Sequence, residues 1–214
     1  MKGLSITAIG MRSLEKCLEI FQILHKPMHL EFLELAIGSP CPVDFDYPSV
    51  SLILHDPCLY KQNTRLRLDL LRPKTWQPYA EFIANHDVQA MSIHPPHQHE
   101  CTKQELETAL LNLQETLNVP VYVEVMPFQE YWCSSLKTLV NHPLLLDVSH
   151  ISIWFKGDHH LAQQTCLYLL NSYHIGEIHL SHNEGKADTH DLIPANIWFA
   201  NLIEKWNLEL LMVK

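Results

Sequence analysis

The stretch Val119–His150, VPVYVEVMPFQEYWCSSLKTLVNHPLLLDVSH, decides the fold. It holds two apolar runs, Val119–Val125 and Leu144–Ser149, each interrupted near its end by an acid, Glu124 or Asp147. Near-continuous rather than alternating hydrophobicity marks strands covered on both faces, as in a parallel sheet. Between the runs, Gln129–Asn141 has helical spacing, so the stretch reads as strand, crossover, strand. The unit repeats outward in both directions. Strands are expected at Leu4–Ile9, His29–Ile37, Val50–Asp56, Val88–His94, Glu177–Ser181 and Leu208–Val213, which brings the total to eight. Helical spacing recurs in Ser13–His25, Thr75–Asn85, Thr102–Leu117, Leu161–Tyr173 and Pro194–Trp206. Thr102 and Glu105 form a capping box, and Pro194 suits a first helical turn. Gly38–Tyr47, rich in Pro and Asp, reads as a loop.

Alternating strands and helices imply a parallel sheet with helices outside, and eight strands permit closure into a barrel. A doubly wound open sheet usually carries a glycine-rich turn after its first strand, and Gly10-Met11-Arg12-Ser13 is not one. The expected fold is α/β, a small (β/α)8 TIM barrel. It spans residues 1–214 as a single domain, without a complete eighth helix.

Composition narrows the function. Hydrophobic residues make up 47% of the 214 and charged residues 18%, enough apolar material to offset chain entropy and exclude disorder. No apolar run approaches the ~18–20 residues of a membrane-spanning helix, so no membrane partner is expected. Leu4–Gly10 is too short for a secretory leader, so the expected location is the cytoplasm. Six cysteines without a CxxC pair fit a reducing compartment and exclude a structural zinc ribbon. The net charge of −9 disfavours DNA as a partner. The chain nevertheless carries 15 histidines, as many as its lysines and arginines together. Imidazole is the commonest neutral metal ligand.

Catalytic groups of such barrels come from the C-terminal ends of the strands and the loops just beyond them. Strand three ends in LILHDP with His55, and strand four in MSIHPPH with His94. Strand five, VYVEVMP, offers Glu124; strand six, LLLDVSH, offers Asp147 with His150 three residues on. Strand seven, IHLSH, offers His179, followed by Asp188-Thr189-His190. Taken singly, most of these are ordinary loop or capping residues. Five consecutive strand ends carrying His, Asp or Glu is a pattern that chance rarely gives, and converging imidazoles and carboxylates are what a divalent cation needs. Glu31 and Glu34 in strand two are ambiguous, with Glu34 a candidate for lining the barrel. His97 and His182 lie near the site as candidates for orienting ligands. His25, His29, His86, His142, His159, His160 and His174 fall at helix ends or strand entries.

In these motifs the chain resembles the xylose-isomerase-like TIM-barrel superfamily, and within it the endonuclease IV (AP endonuclease family 2) branch. That resemblance implies one metal held by His55, His94 and a bridging Glu124. It implies a second shared by Glu124, Asp147 and His179, and a third held by His150, Asp188 and His190. The branch also places a carboxylate at the C-terminal end of strand eight. Here Glu209 lies at the start of that strand, about 17 Å below the rim, and the rim position falls near Lys214. Either the second metal is weak or absent, or the Lys ammonium stands in for a cation, or the terminal carboxylate coordinates. The chain is also shorter than endonuclease IV enzymes, whose extended loops penetrate DNA.

The expected activity is therefore a divalent-metal-dependent phosphoester hydrolase acting on a small phosphorylated sugar or nucleotide. Glu124 and His150 are central, and zinc is favoured over manganese or iron. The alternatives are a one-metal sugar isomerase or epimerase, an abasic-site endonuclease, or a barrel that binds metal without turnover. The missing eighth helix would leave an apolar flank for a second subunit, so a homodimer is expected.

Overall fold

The computed structural model describes residues 2–10, 13–36, 41–47, 50–203 and 211–213. Strand β1 (Lys2–Ser5) leads into a single helical turn, α1 (Ile6–Ile9), and then α2 (Leu14–Met28). Next come β2 (Phe32–Leu35), β3 (Cys41–Pro42), β4 (Ser51–His55), β5 (Leu59–Lys61) and β6 (Thr64–Arg65). A 3-10 turn (Pro73–Thr75) precedes α3 (Gln77–Asn85), followed by β7 (Val88–Ile93), α4 (Lys103–Leu117), β8 (Val121–Glu124) and β9 (Leu144–Asp147). The chain continues through α5 (Val148–Trp154), α6 (His159–Ser172), β10 (Ile175–Leu180), α7 (Ala200–Ile203) and β11 (Leu211–Val213). Eight strands close into a barrel in the order β1–β2–β4–β7–β8–β9–β10–β11 and back to β1. Every neighbouring pair is parallel.

Period-two alternation divides each strand between two cores. Outward residues such as Leu33, Leu54, Met91, Val123 and Leu146 join the helices, where α4 contributes Leu106, Leu110, Leu113 and Leu117. Inward residues Phe32, Ile53, Ala90, Tyr122 and Leu145 form a separate apolar plug inside the barrel. Two glycines make room for it. A Cβ on Gly3 would collide with the Phe32 ring, and one on Gly176 with the Tyr122 ring. One inward step further along the same strands come Glu34, His55, Ser92, Glu124 and Asp147, all buried.

Several sequence expectations are revised. The first strand stops at Ser5 rather than Ile9, because the Ser5 hydroxyl accepts from Thr7 N and caps α1. Gln129–Asn141 is not a helix but a run of turns. There Ser134 N and Ser135 N donate to Thr138 Oγ1, and Cys133 takes φ +58°. Such local hydroxyl bonds offer the backbone an alternative to helix. The expected loop Gly38–Tyr47 contains β3, which pairs with β5, itself paired with β6, in a small sheet beside the barrel. That β5–β6 hairpin turns through Gln62 and Asn63 at φ +48° and +64°, the two left-handed positions of a tight hairpin. Strand six ends at Asp147, two residues earlier than read. Of the expected helix Pro194–Trp206 only Ala200–Ile203 is helical among the described residues, and residues 204–206 lie outside them. Glu209 and Lys214 also lie outside the described residues. No helix among the described residues is long and apolar enough to cross a membrane.

Candidate metal centre

The C-terminal ends of the barrel strands gather most of the expected residues into one mouth. His55, the last residue of β4, is buried, and its Nδ1 lies 2.8 Å from Ser92 Oγ on β7. Its Nε2 is 3.4 Å from Glu124 Oε2. His94 follows β7 directly and brings Nε2 within 2.8 Å of the same oxygen. Its Nδ1 is 3.5 Å from Asp56 Oδ2. The other oxygen of Glu124 faces elsewhere: Oε1 is 3.6 Å from His150 Nδ1 and 3.9 Å from His179 Nδ1. One carboxylate on β8 thus presents each oxygen to a different pair of imidazoles.

Asp147 has a structural task as well. As N-cap of α5 its Oδ1 accepts from Ser149 N at 2.8 Å and His150 N at 3.3 Å. This satisfies amides that a helix start leaves open. The cap sets the register of α5 and so aims His150 back into the mouth, with its Nε2 3.9 Å from Asp147 Oδ2. His150 Nδ1 lies 2.7 Å from Val125 O, which can only accept, so that nitrogen carries the proton. Its Nε2 is 3.2 Å from Asp188 Oδ2, and His190 Nε2 is 3.3 Å from Asp188 Oδ1. His190 takes φ +49°, an unusual setting for a non-glycine residue.

Charge and burial compete at these groups. Burial alone would depress the His150 imidazole, but Asp147, the Asp188 hydrogen bond and Glu124 outweigh it and hold the ring up at about 9. Burial likewise pushes the Asp188 carboxyl up, yet bonding to His150 and His190 keeps it well below the usual carboxylate range. Burial raises the Glu177 carboxyl, against the pull of His179.

Three groups bring ligand atoms within 4.8 Å of one another: His55 with His94 and Glu124; Glu124 with Asp147 and His150; and Glu34 with His55 and His179. The first coincides with a trio expected from the sequence. The expected second trio is arranged differently, since Asp147 and Glu124 gather with His150. His179 turns its Nε2 to Glu34 Oε2 at 2.8 Å and Glu177 Oε1 at 3.3 Å. Asp188 holds His150 and His190 on opposite oxygens, but the three do not form a group as tight as those above among the described residues. The donor set itself, imidazole and carboxylate converging away from water, fits a divalent cation of the zinc, manganese or iron type.

Sequence reasoning passed over Glu177 and Ser92 and left Glu34 undecided. The available signal was parity: Glu177 precedes His179 by two residues, and Ser92 precedes His94 by two, so each shares an inward face. Several of the remaining histidines make local contacts. His25 Nδ1 lies 2.9 Å from Gln22 O and His86 Nδ1 2.8 Å from Phe82 O. His97 stacks on Tyr131, and His182 Nε2 is 3.5 Å from Glu184 Oε1.

Fold and mouth together define a parallel eight-stranded α/β barrel with mixed nitrogen and oxygen donors at its C-terminal end. In fold the chain is similar to a solved structure described as a D-tagatose 3-epimerase-like protein. That match has a TM-score of 0.67, covers 99% of this chain and 89% of the other, and has 14% sequence identity. It is also similar to the TTHB071 protein from Thermus thermophilus, solved after soaking with ZnCl2, with a TM-score of 0.52 at 16% identity over 98% and 88% of the two chains. The likeness is one of fold: in both matches nearly the whole of this chain is covered, in keeping with the closed parallel α/β barrel expected from the sequence. No family model and no curated protein matches the sequence.

Proposed function

We propose that the chain is a divalent-metal-dependent hydrolase of phosphoesters, acting on a small phosphorylated sugar or nucleotide. The observation that carries this reading is Glu124, whose Oε2 faces His55 and His94 while Oε1 faces His150 and His179. A carboxylate so placed is suited to bridge two cations. His55, His94 and Glu124 would hold one. Glu124, Asp147 and either His150 or His179 would hold a second, and Asp188 with His190 would extend the centre. Bound cations of this kind supply Lewis acidity, activating water at neutral pH and neutralising charge on a phosphoryl group.

The protein's own residues do the positioning. Ser92 engages His55 Nδ1 and leaves Nε2 facing Glu124, whereas Val125 O engages His150 Nδ1 and leaves its Nε2 facing Asp147 and Asp188. Beside His94 opens a cleft of about 350 Å³ whose walls include Arg65, Arg67, Pro95 and Pro96. Arg65 is tied to Pro57 O through Nε at 2.8 Å and lies 3.9 Å from Asp56 Oδ2. The two guanidinium groups share the cleft with the carboxylates of Asp69 and Glu100, so it offers polar contacts of both signs.

A one-cation sugar isomerase or epimerase is the second reading. It is favoured by the looser spacing of His150, Asp188 and His190, which leaves fewer tight groups. Elemental analysis of freshly purified protein, followed by phosphoester and ketose/aldose panels, separates the two. Two to three ions per chain with phosphoester turnover supports the hydrolase. One ion with isomerase turnover overturns it.

A further inference from the structure

Beneath the mouth lies a layer of buried groups that the hydrolase reading does not use. His179 on β10 is fully buried between two carboxylates from distant parts of the chain, Glu34 on β2 and Glu177 two residues earlier on its own strand. Both approach the same nitrogen, Nε2, at 2.8 Å and 3.3 Å. The other nitrogen, Nδ1, points toward Glu124. A carboxylate cannot donate when ionised, so the 2.8 Å contact requires the proton to reside on Nε2. Neutral imidazole carries one proton, and placing it on Nε2 leaves the Nδ1 lone pair turned to the mouth.

We propose that Glu34 is a positioning residue: it accepts Nε2–H of His179 and thereby presents Nδ1 as a cation donor toward Glu124, with Glu177 as the weaker second acceptor. Carboxylates behind ligating histidines fix ring orientation and raise ligand basicity. The proposal rests on the multi-cation reading of the mouth. It differs from a direct-ligand role, which the grouping of Glu34 with His55 and His179 would otherwise suggest.

The test compares the wild type with Glu34→Gln, Glu34→Leu and Glu177→Gln, using Zn²⁺ as the probe. The readouts are ions per chain, affinity by chelator competition, and the His179 tautomer from long-range ¹H–¹⁵N correlations. Wild type is expected to show Nε2–H. Glu34→Leu is expected to keep the wild-type ion count but to bind the second ion about 10–100-fold more weakly, the usual cost of losing such an outer partner. Glu34→Gln retains an acceptor oxygen and should recover most of that loss, while Glu177→Gln should cost less than Glu34→Leu. Wild-type affinity in Glu34→Leu overturns the proposal. So does the loss of a whole ion in Glu34→Gln, which would make Glu34 a ligand, or an Nδ1–H tautomer in the wild type. Thermal unfolding of the chelator-stripped variants checks that each folds. A wild type that binds no Zn²⁺ would instead refute the metal centre itself.

Discussion

Along five strands the barrel interior changes character within two residues: Phe32 to Glu34, Ile53 to His55, Ala90 to Ser92, Tyr122 to Glu124 and Leu145 to Asp147. The floor and the mouth are equally removed from water, for Tyr122 is 4% exposed and Glu124 0%. Burial therefore does not distinguish them; the residue types do. Aromatic and aliphatic groups in the floor convert lost solvent contact into stability. Carboxylates and imidazoles in the mouth give up hydration, which is unfavourable unless partners replace it. The lower layer holds the barrel together and the upper layer gathers groups suited to hold a cation, on the same strands and in the same register.

That division can be broken at either end. The largest effect is expected from Glu124→Gln, which should weaken cation binding by more than the 10–100-fold typical of an outer partner. The chelator-stripped variant should unfold no earlier than wild type, since a neutral amide is cheaper to bury than a carboxylate. Zinc titration and thermal denaturation check both, and a variant that binds normally would remove Glu124 from the centre. The opposite signature belongs to Phe32→Ala, expected to cost about 3–5 kcal/mol by urea unfolding while leaving ions per chain unchanged. If its ion count falls with its stability, floor and mouth are one cooperative unit. Gly3→Ala is expected to cost about 1–3 kcal/mol by overpacking against Phe32, and Phe32→Leu in the same chain should return part of it.

The smallest effect tests a buried histidine outside both layers. His142 Nε2 lies 3.0 Å from Val121 O. Burial holds its imidazole below the ordinary value, against that hydrogen bond and Glu107, with His174 adding to the depression. The unfolded ring, near pKa 6.5, therefore takes up its proton first as pH falls, so its contribution to stability is present above about pH 6.5 and is lost on acidification. His142→Asn should give a flatter dependence of Tm on pH between about 7.5 and 5.5 in chelator-stripped protein. Parallel slopes would show that other groups dominate.

Much of this was legible in the sequence because each strand states its own environment. Near-continuous apolar runs gave eight parallel strands, and the Thr102–Glu105 pair caps α4 in the structure as its spacing implies. His55, His94 and Glu124 meet as their strand-end positions suggest. The partner of His179 was not legible, since Glu34 lies 145 positions earlier and only barrel closure brings β2 within reach of β10. The segment Gln129–Asn141 was misread for a different reason. Its apolar spacing suits a helix, but Ser134, Ser135 and Thr138 compete for the backbone with their hydroxyls. Spacing reports which side chains seek a core, not which backbone geometry wins locally.

The glycines at positions 3 and 176 carry one more consequence. By letting the Phe32 and Tyr122 rings fill the lower barrel, they make it a cup rather than a tube. Whatever enters must leave through the same opening, so under the proposed hydrolase reading a product lingering there would obstruct the next substrate, and its inhibition should be competitive.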